Sequence, residues 1–306
     1  MQTTRDRAGD PPEAAPGPVP GFSERLRERR ARWWGRPFHW SSAGSYRDAA
    51  HRTCERFATH AADDPPAKWH CCRHWQRTLI DKTASRAFAQ GHGCALPELY
   101  WTGRRIAGIP FDALPPRFVL RPARGTAAAG VYVIAGDREL LRDIAMPRAA
   151  LRRRMWREHG PIASAPLLVE AFVPAEAGAA RMPVEYKCHT FGDRVGAVQV
   201  LERTGQLTGL HRYYTPRWEA FADPMDAHYP LAPTRPPPPW LDAMLAAAAR
   251  MGQAIGTYMR IDFFGSAAGP VFNEFSSTPQ VRALRFTPQC DELFGALWQA
   301  QFPDAV

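Results

Sequence analysis

Two acids sit inside apolar runs that read as strands in the stretch RIDFFGSAAGPVFNEFSSTP, residues 260–279. A turn centred on Ala268 sets Asp262 directly opposite Glu274 and Arg260 opposite Ser276. Strand alternation then places these four side chains on one face. The same alternation sends Met259, Ile261 and Phe263 to the other face, with Val271, Asn273 and Phe275. Facing residues have Cβ atoms about 5 Å apart, and like charges there repel. Two chemistries neutralise the pair. One is a structural ion pair with Arg260; the other is a divalent cation with oxygen ligands, since Mg2+ takes one or two carboxylates plus substrate phosphates.

Other charged residues stand where strands or loops are expected. Arg121 and Arg124 flank the start of RPARGTAAAG. There Gly125 and Gly130 permit positive φ, Thr126 offers a hydroxyl, and small residues let backbone N–H groups approach an anion. A plain hairpin loop explains the same stretch. Glu170 lies within LLVEAFVP, where a buried carboxylate needs a ligand amine, backbone amides or an arginine partner. In VEYKCHTF, Glu185 and Lys187 share a face and either pair with each other or leave Lys187 to a phosphate. Arg203, after the apolar run 195–201, is a further candidate cation.

The elements that must hold these residues follow from periodicity and breakers. Helices are expected over 22–34, 45–62 and 79–90, the last closed by Gly91-His92-Gly93. ALPELYW (95–101) reads as a short strand, and RFVLRPARGTAAAGVYVIAG as strand, loop, strand. Residues 137–158 read as a basic helix and PLLVEAFVP as a buried strand. VEYKCHTFGDRVGAVQVLER reads as a hairpin turning at Gly192-Asp193. Residues 208–239 read as irregular and proline-rich. An amphipathic helix over 241–256 presents Leu241, Met244, Leu245, Ala248 and Ile255 to a core. This order predicts an α+β protein with antiparallel sheets.

The chain has 306 residues, 45% hydrophobic and 23% charged, with 30 prolines and 23 glycines. That is enough for one large domain or two modest ones. Residues 1–20 are rich in Pro, Ala and Gly and are expected to be a disordered tail. No apolar run reaches the roughly 18 residues of a membrane span. The N-terminus lacks the hydrophobic segment of a secretory signal, so the expected compartment is the cytoplasm, with no membrane partner. The six cysteines then read as free thiols. Cys71 and Cys72 are adjacent and lack a CxxC companion, so a helix near the core explains them better than zinc. A net charge of +9 favours anionic partners such as nucleotides, phosphorylated substrates or nucleic acid. The Arg/Trp-rich stretches 25–36 and 148–157 leave RNA as the lesser alternative, because no nucleic-acid module signature accompanies them.

In order along the chain these pieces resemble the ATP-grasp superfamily, from about residue 79 to 279. Asp81-Lys82 resembles its "DK" entry, FVLRPARGTAAAGVYVI its "KP … G … G" hairpin and phosphate loop, LLVEAFVP its adenine hinge, and RIDFF with VFNEF its paired metal-ligand strands. The texture is most similar to the teichuronopeptide-biosynthesis type, through LPPRFVLR, VEYKCHTFGD, ER and RIDFFGSAAGPVFNEFSSTP. The resemblance implies two α+β subdomains gripping a nucleotide, over 117–173 and 174–306, after a helical region over 21–116. It implies an ATP-dependent carboxylate–amine ligase acting on small-molecule or peptide substrates through an acyl phosphate, with Mg2+ or alternatively Mn2+. A kinase of the same fold and a non-catalytic nucleotide- or RNA-binding protein are the alternatives. The nucleotide would contact Lys82, Arg121, Arg124, Gly125, Thr126 and Glu170. Ala171, Phe172 and Val173 would form the hinge backbone, with Glu176 at the ribose. Lys187, Arg203 and Arg260 would serve the reacting groups. Asp262, Glu274 and Ser276 would hold the metal. Two departures stand out: Arg121 replaces a lysine, and Ser276 stands where many members have asparagine.

Overall fold

The computed structural model describes residues 75–125, 128–175, 181–277 and 286–302. The expectations for the tail 1–20, the helices over 22–34 and 45–62, and Cys71 and Cys72 lie outside these residues. So do Thr126 and Glu176.

Among the described residues the first α-helix, α1 (Lys82–Gly91), starts three residues later than periodicity suggests. Asp81 stops the preceding 3-10 turn (Trp75–Ile80) and caps the helix, its Oδ1 accepting from the amides of Thr83 at 2.9 Å and Ala84 at 3.4 Å. The cap puts Lys82 at the first helical position, where its amide donates to the Ala123 carbonyl at 2.9 Å. The strand expected over 95–101 begins later, as β1 (Leu99–Arg105), while Ala95 makes only an isolated bridge to Val271. After it come β2 (Arg117–Pro122) and β3 (Tyr132–Ala135), on either side of the expected loop.

Residues 137–158 are not one helix. Two short strands, β4 (Arg138–Glu139) and β5 (Ile144–Ala145), precede α2 (Arg148–His159). Glu139 explains the break: its buried carboxylate accepts from the amides of Val133, Leu141 and Arg142, replacing the carbonyls that a helix would supply. β6 (Ile162–Ala171) completes an antiparallel sheet of order β1-β6-β2-β3-β4-β5. Alternation along β2 and β6 turns Phe118, Leu120, Leu167 and Val169 into a core closed by Leu151 and Met155 of α2. It turns Val119, Arg121 and Glu170 the other way, toward a cleft.

The second sheet is built from β7 (Glu185–Phe191), β8 (Arg194–Arg203), β9 (Gly209–Tyr214), β10 (Tyr258–Ser266) and β11 (Gly269–Ser276). Its order is β11-β10-β7-β8-β9, antiparallel throughout. β9 falls in the stretch read as irregular; Leu231 and Ala220 bridge to it, so the proline-rich segment runs alongside rather than away. Tyr186, Cys188, Ile261 and Phe263 point into a core covered by α3 (Leu241–Ile255), through Met244, Ala248, Met251 and Ile255. Gly256 ends that helix in the left-handed conformation, φ 69°. The opposite face is shared. Near Phe191 it is covered by Phe294 and Trp298 of α4 (Pro288–Gln301). Further along it opens onto the cleft.

The register of β10 and β11 pairs Asp262 with Glu274 and Arg260 with Ser276, as alternation requires. The hairpin loop is shorter than a turn centred on Ala268, because Ser266 already pairs with Gly269. A bulge after Asp262 absorbs the odd residue, which is Asn273. Two expectations change as a result. Phe272, not Val271, joins Phe263 in the core, and Asn273 lines the cleft. Among the described residues Cys94, Cys188 and Cys290 are free thiols, and no helix is long and apolar enough to cross a membrane.

Candidate active site

Between the two sheets lies a cleft of about 640 Å3. One part is apolar, walled by Val119, Val133, Leu141, Phe172 and Met182, with the backbone of residues 171–173 alongside. The rest is charged. Lys82 enters from the first turn of α1, Arg121 from β2, and Lys187, Arg203 and Arg260 from the second sheet.

On the second sheet the charges alternate in one row. Arg203 Nε and Nη2 donate to the two oxygens of Glu185, at 2.6 and 3.2 Å. Lys187 Nζ lies 2.6 Å from Glu185 Oε2 and 2.7 Å from Asp262 Oδ2. Arg260 Nε and Nη2 donate to the two oxygens of Asp262, each at 2.7 Å. The register builds this row: Lys187 faces Asp262 across β7 and β10. Burial alone would raise the Glu185 carboxyl, but Lys187 and Arg203 overcome it and hold it at about 2. Burial is likewise outweighed at Asp262 by Arg260 and then Lys187, again to about 2. Lys187 is raised, burial notwithstanding, by Asp262 and Glu185, so the row stays ionised at neutral pH.

These contacts decide which acid is open to a cation. Asp262 is fully buried and both its oxygens accept from Arg260 and Lys187, so the ion-pair alternative describes it. Glu274 is 29% exposed at the cleft wall, with Lys82 Nζ 3.2 Å from its Oε2. Ser276 Oγ, beside it on the wall, accepts from Arg260 Nη2 at 3.0 Å. Among the described residues no three His, Cys, Asp or Glu side chains converge as a self-sufficient metal cage. The donor set therefore fits Mg2+ arriving with a polyphosphate at Glu274, one carboxylate being enough when phosphates supply other ligands. It does not fit Asp262 as a direct ligand in this arrangement.

Glu170 lies buried between two cations: Arg86 donates to its Oε1 and Arg121 Nε forms an ion pair with its Oε2, the arginine partnership that the strand alone left open beside a ligand amine. The reason is position: Arg86 is one turn beyond Lys82 on α1 and reaches β6 from the same side. Arg124 pairs with Asp81 at 3.0 Å, tying the loop to the α1 cap, and Gly125 lines the cleft.

Several residues at or beside the cleft were missed or misplaced by spacing alone. Arg86 was visible only as the i+4 neighbour of Lys82. Asn273 was hidden by the bulge. Gln199 shares the β8 face that leads to Arg203. His228 and Tyr229 come from the proline-rich stretch, Tyr229 Oη accepting from Arg203 Nη1 at 3.4 Å.

No family model matches the chain, and no curated protein matches it. Solved structures do. The chain is similar to D-alanine–D-alanine ligase from Bacillus anthracis complexed with ATP, at 13% identity and TM-score 0.47, over 74% of this chain and 64% of that one. It is similar to the VanG D-Ala:D-Ser ligase of Enterococcus faecalis, at 16% identity and TM-score 0.47, over 75% and 63%. It is similar to the ATP-grasp ligase PsnB complexed with a minimal precursor, at 14% identity and TM-score 0.43, over 73% and 60%. The chain spans less than two-thirds of the length of each of these ligases.

Proposed function

We propose that the cleft binds ATP and activates a carboxylate for capture by an amine, making the protein an ATP-dependent carboxylate–amine ligase of the ATP-grasp type. The observation that carries this reading is the join of an apolar slot to a cationic floor, with one open carboxylate, Glu274, at the wall. The slot suits a flat base, and the hinge backbone over Ala171, Phe172 and Val173 runs along it to meet the base edge, the Ala171 amide itself donating to the Glu98 carbonyl at 2.8 Å. Lys82, Lys187 and Arg260 neutralise phosphoryl charge; catalysis of this kind is mainly positioning and electrostatic stabilisation. Arg203, held by Glu185, adds a cation beside Tyr229. Arg260 stands next to Ser276, where it stabilises charge developing on a reacting carboxylate. Mg2+ held at Glu274 supplies charge neutralisation of the polyphosphate when bound. The substrates, on this reading, are small acids or peptides and an amine.

The reading is tested by ADP release across amino acids and acidic donors, followed by mass spectrometry of the products. Glu274→Gln should lower ADP release at least about a hundredfold with an unchanged circular dichroism spectrum. Wild-type-like turnover by that variant would sink the assignment of Glu274. Free phosphate with an amide product marks a ligase; a phosphorylated acceptor would replace ligation by phosphotransfer.

A further inference from the structure

One guanidinium joins the two sheets. Arg121, on β2, pairs through Nε with Glu170 of β6. Its Nη1 donates to Asn273 Oδ1 at 2.7 Å and its Nη2 to the Asn273 carbonyl at 3.4 Å, across the cleft on β11. Both residues are buried. Asn273 reaches Arg121 only because it is the extra residue of the bulge, and it immediately precedes Glu274 in the chain. With Arg86 on the far side of Glu170, the contacts run Arg86–Glu170–Arg121–Asn273, from α1 through β6 and β2 to β11.

A lysine at 121 keeps the charge but cannot make these contacts together, because a single ammonium lacks the planar fork. We infer that Arg121 and Asn273 are a positioning pair that sets the reach of Glu274 across the cleft, and that Arg121 is held by this tie rather than given to phosphate. The inference rests on the ATP reading of the cleft. It also gives the arginine at this position a part that a lysine there could not fill.

The test is a double-mutant cycle on the full chain with Arg121→Lys and Asn273→Ala. The probe is a non-hydrolysable ATP analogue, with Mn2+ bound to the enzyme–nucleotide complex read by electron paramagnetic resonance. Each single variant should weaken Mn2+ binding about tenfold, and the double variant should be no worse than either alone. Affinity for the analogue in EDTA should stay within about twofold for all three. Asn273→Asp, which still accepts from Arg121, should recover Mn2+ binding relative to Asn273→Ala. Additive effects, or near-wild-type Mn2+ binding by Arg121→Lys, would overturn the pairing. If Arg121→Lys fails to fold, the comparison of Asn273→Ala with Asn273→Asp decides alone, and equal Mn2+ affinity in those two overturns the proposal. A wild-type protein that binds no nucleotide removes the ATP reading itself, whereas nucleotide binding with an additive cycle removes only this inference.

Discussion

At the scale of single residues, the carboxylates of Glu185 and Asp262 make a pH signature. Both are held at about 2, below their ordinary values of 4.5 and 3.8. A depressed folded-state pKa gives stability that is present above the ordinary value and is lost as pH falls toward the folded one. Thermal melts should therefore be level above pH 5 in these groups' contribution and fall between about pH 4.5 and 2. Glu185→Gln should lower stability at pH 7 and flatten part of that slope; an unchanged slope would show that Glu185 is not among the groups responsible. Alternation alone put Glu185 and Lys187 on one face, and of the two roles it left open for Lys187 the structure shows the ion pair with Glu185. The second partner of Glu185, Arg203, was legible only as a cation: the hairpin of β7 and β8 follows from its turn, but a bulge at Gly196 shifts the register and brings Arg203 to the Glu185 face. Asn273 was misread for a related reason: counting by twos assumes an unbroken ladder, and the bulge in β11 removes that assumption at one residue.

Secondary elements were most legible where one physical signal dominated. The apolar spacing of α3 and the Gly192-Asp193 turn of β7 and β8 both follow from short-range rules. The stretch before α2 was not legible, because its leucines and arginines suit a helix and only the folded-back Glu139 carboxylate shows otherwise. α3 also offers a sign test between propensity and packing. Gly252 faces the Gly192 carbonyl, and a Cβ added there would lie 2.1 Å from that oxygen. Helix propensity favours alanine over glycine by about 1 kcal/mol. The clash is with backbone, which cannot rotate away, so Gly252→Ala should instead destabilise by about 1–3 kcal/mol. Urea unfolding measures this directly, and a stabilised variant would mean that the helix shifts freely on the sheet.

For the whole molecule, the cleft is where the two sheets meet, so a ligand there touches both. On the ATP reading, a nucleotide at a hundredfold excess over its Kd should add about 2.7 kcal/mol, a rise in Tm of roughly 5–10 °C for a fold of this size. Scanning calorimetry with and without nucleotide checks this; an unchanged Tm at saturating concentration counts against the reading. The α+β class and the antiparallel sheets were legible from element order. The long-range contacts were not, since Arg86 of α1 and Glu170 of β6 lie 84 residues apart, and Arg121 and Asn273, which join the sheets, lie 152 apart. The alternating row Arg203–Glu185–Lys187–Asp262–Arg260 has a consequence for how this sequence can drift. Removing any one buried member leaves its neighbour uncompensated, at about 3–5 kcal/mol, whereas exchanging an adjacent acid and base together for apolar residues is often close to neutral. Folding, read by thermal melts, should therefore tolerate joint exchange of an end pair, Arg203 with Glu185 or Asp262 with Arg260, better than any single exchange, even where ATP turnover is lost.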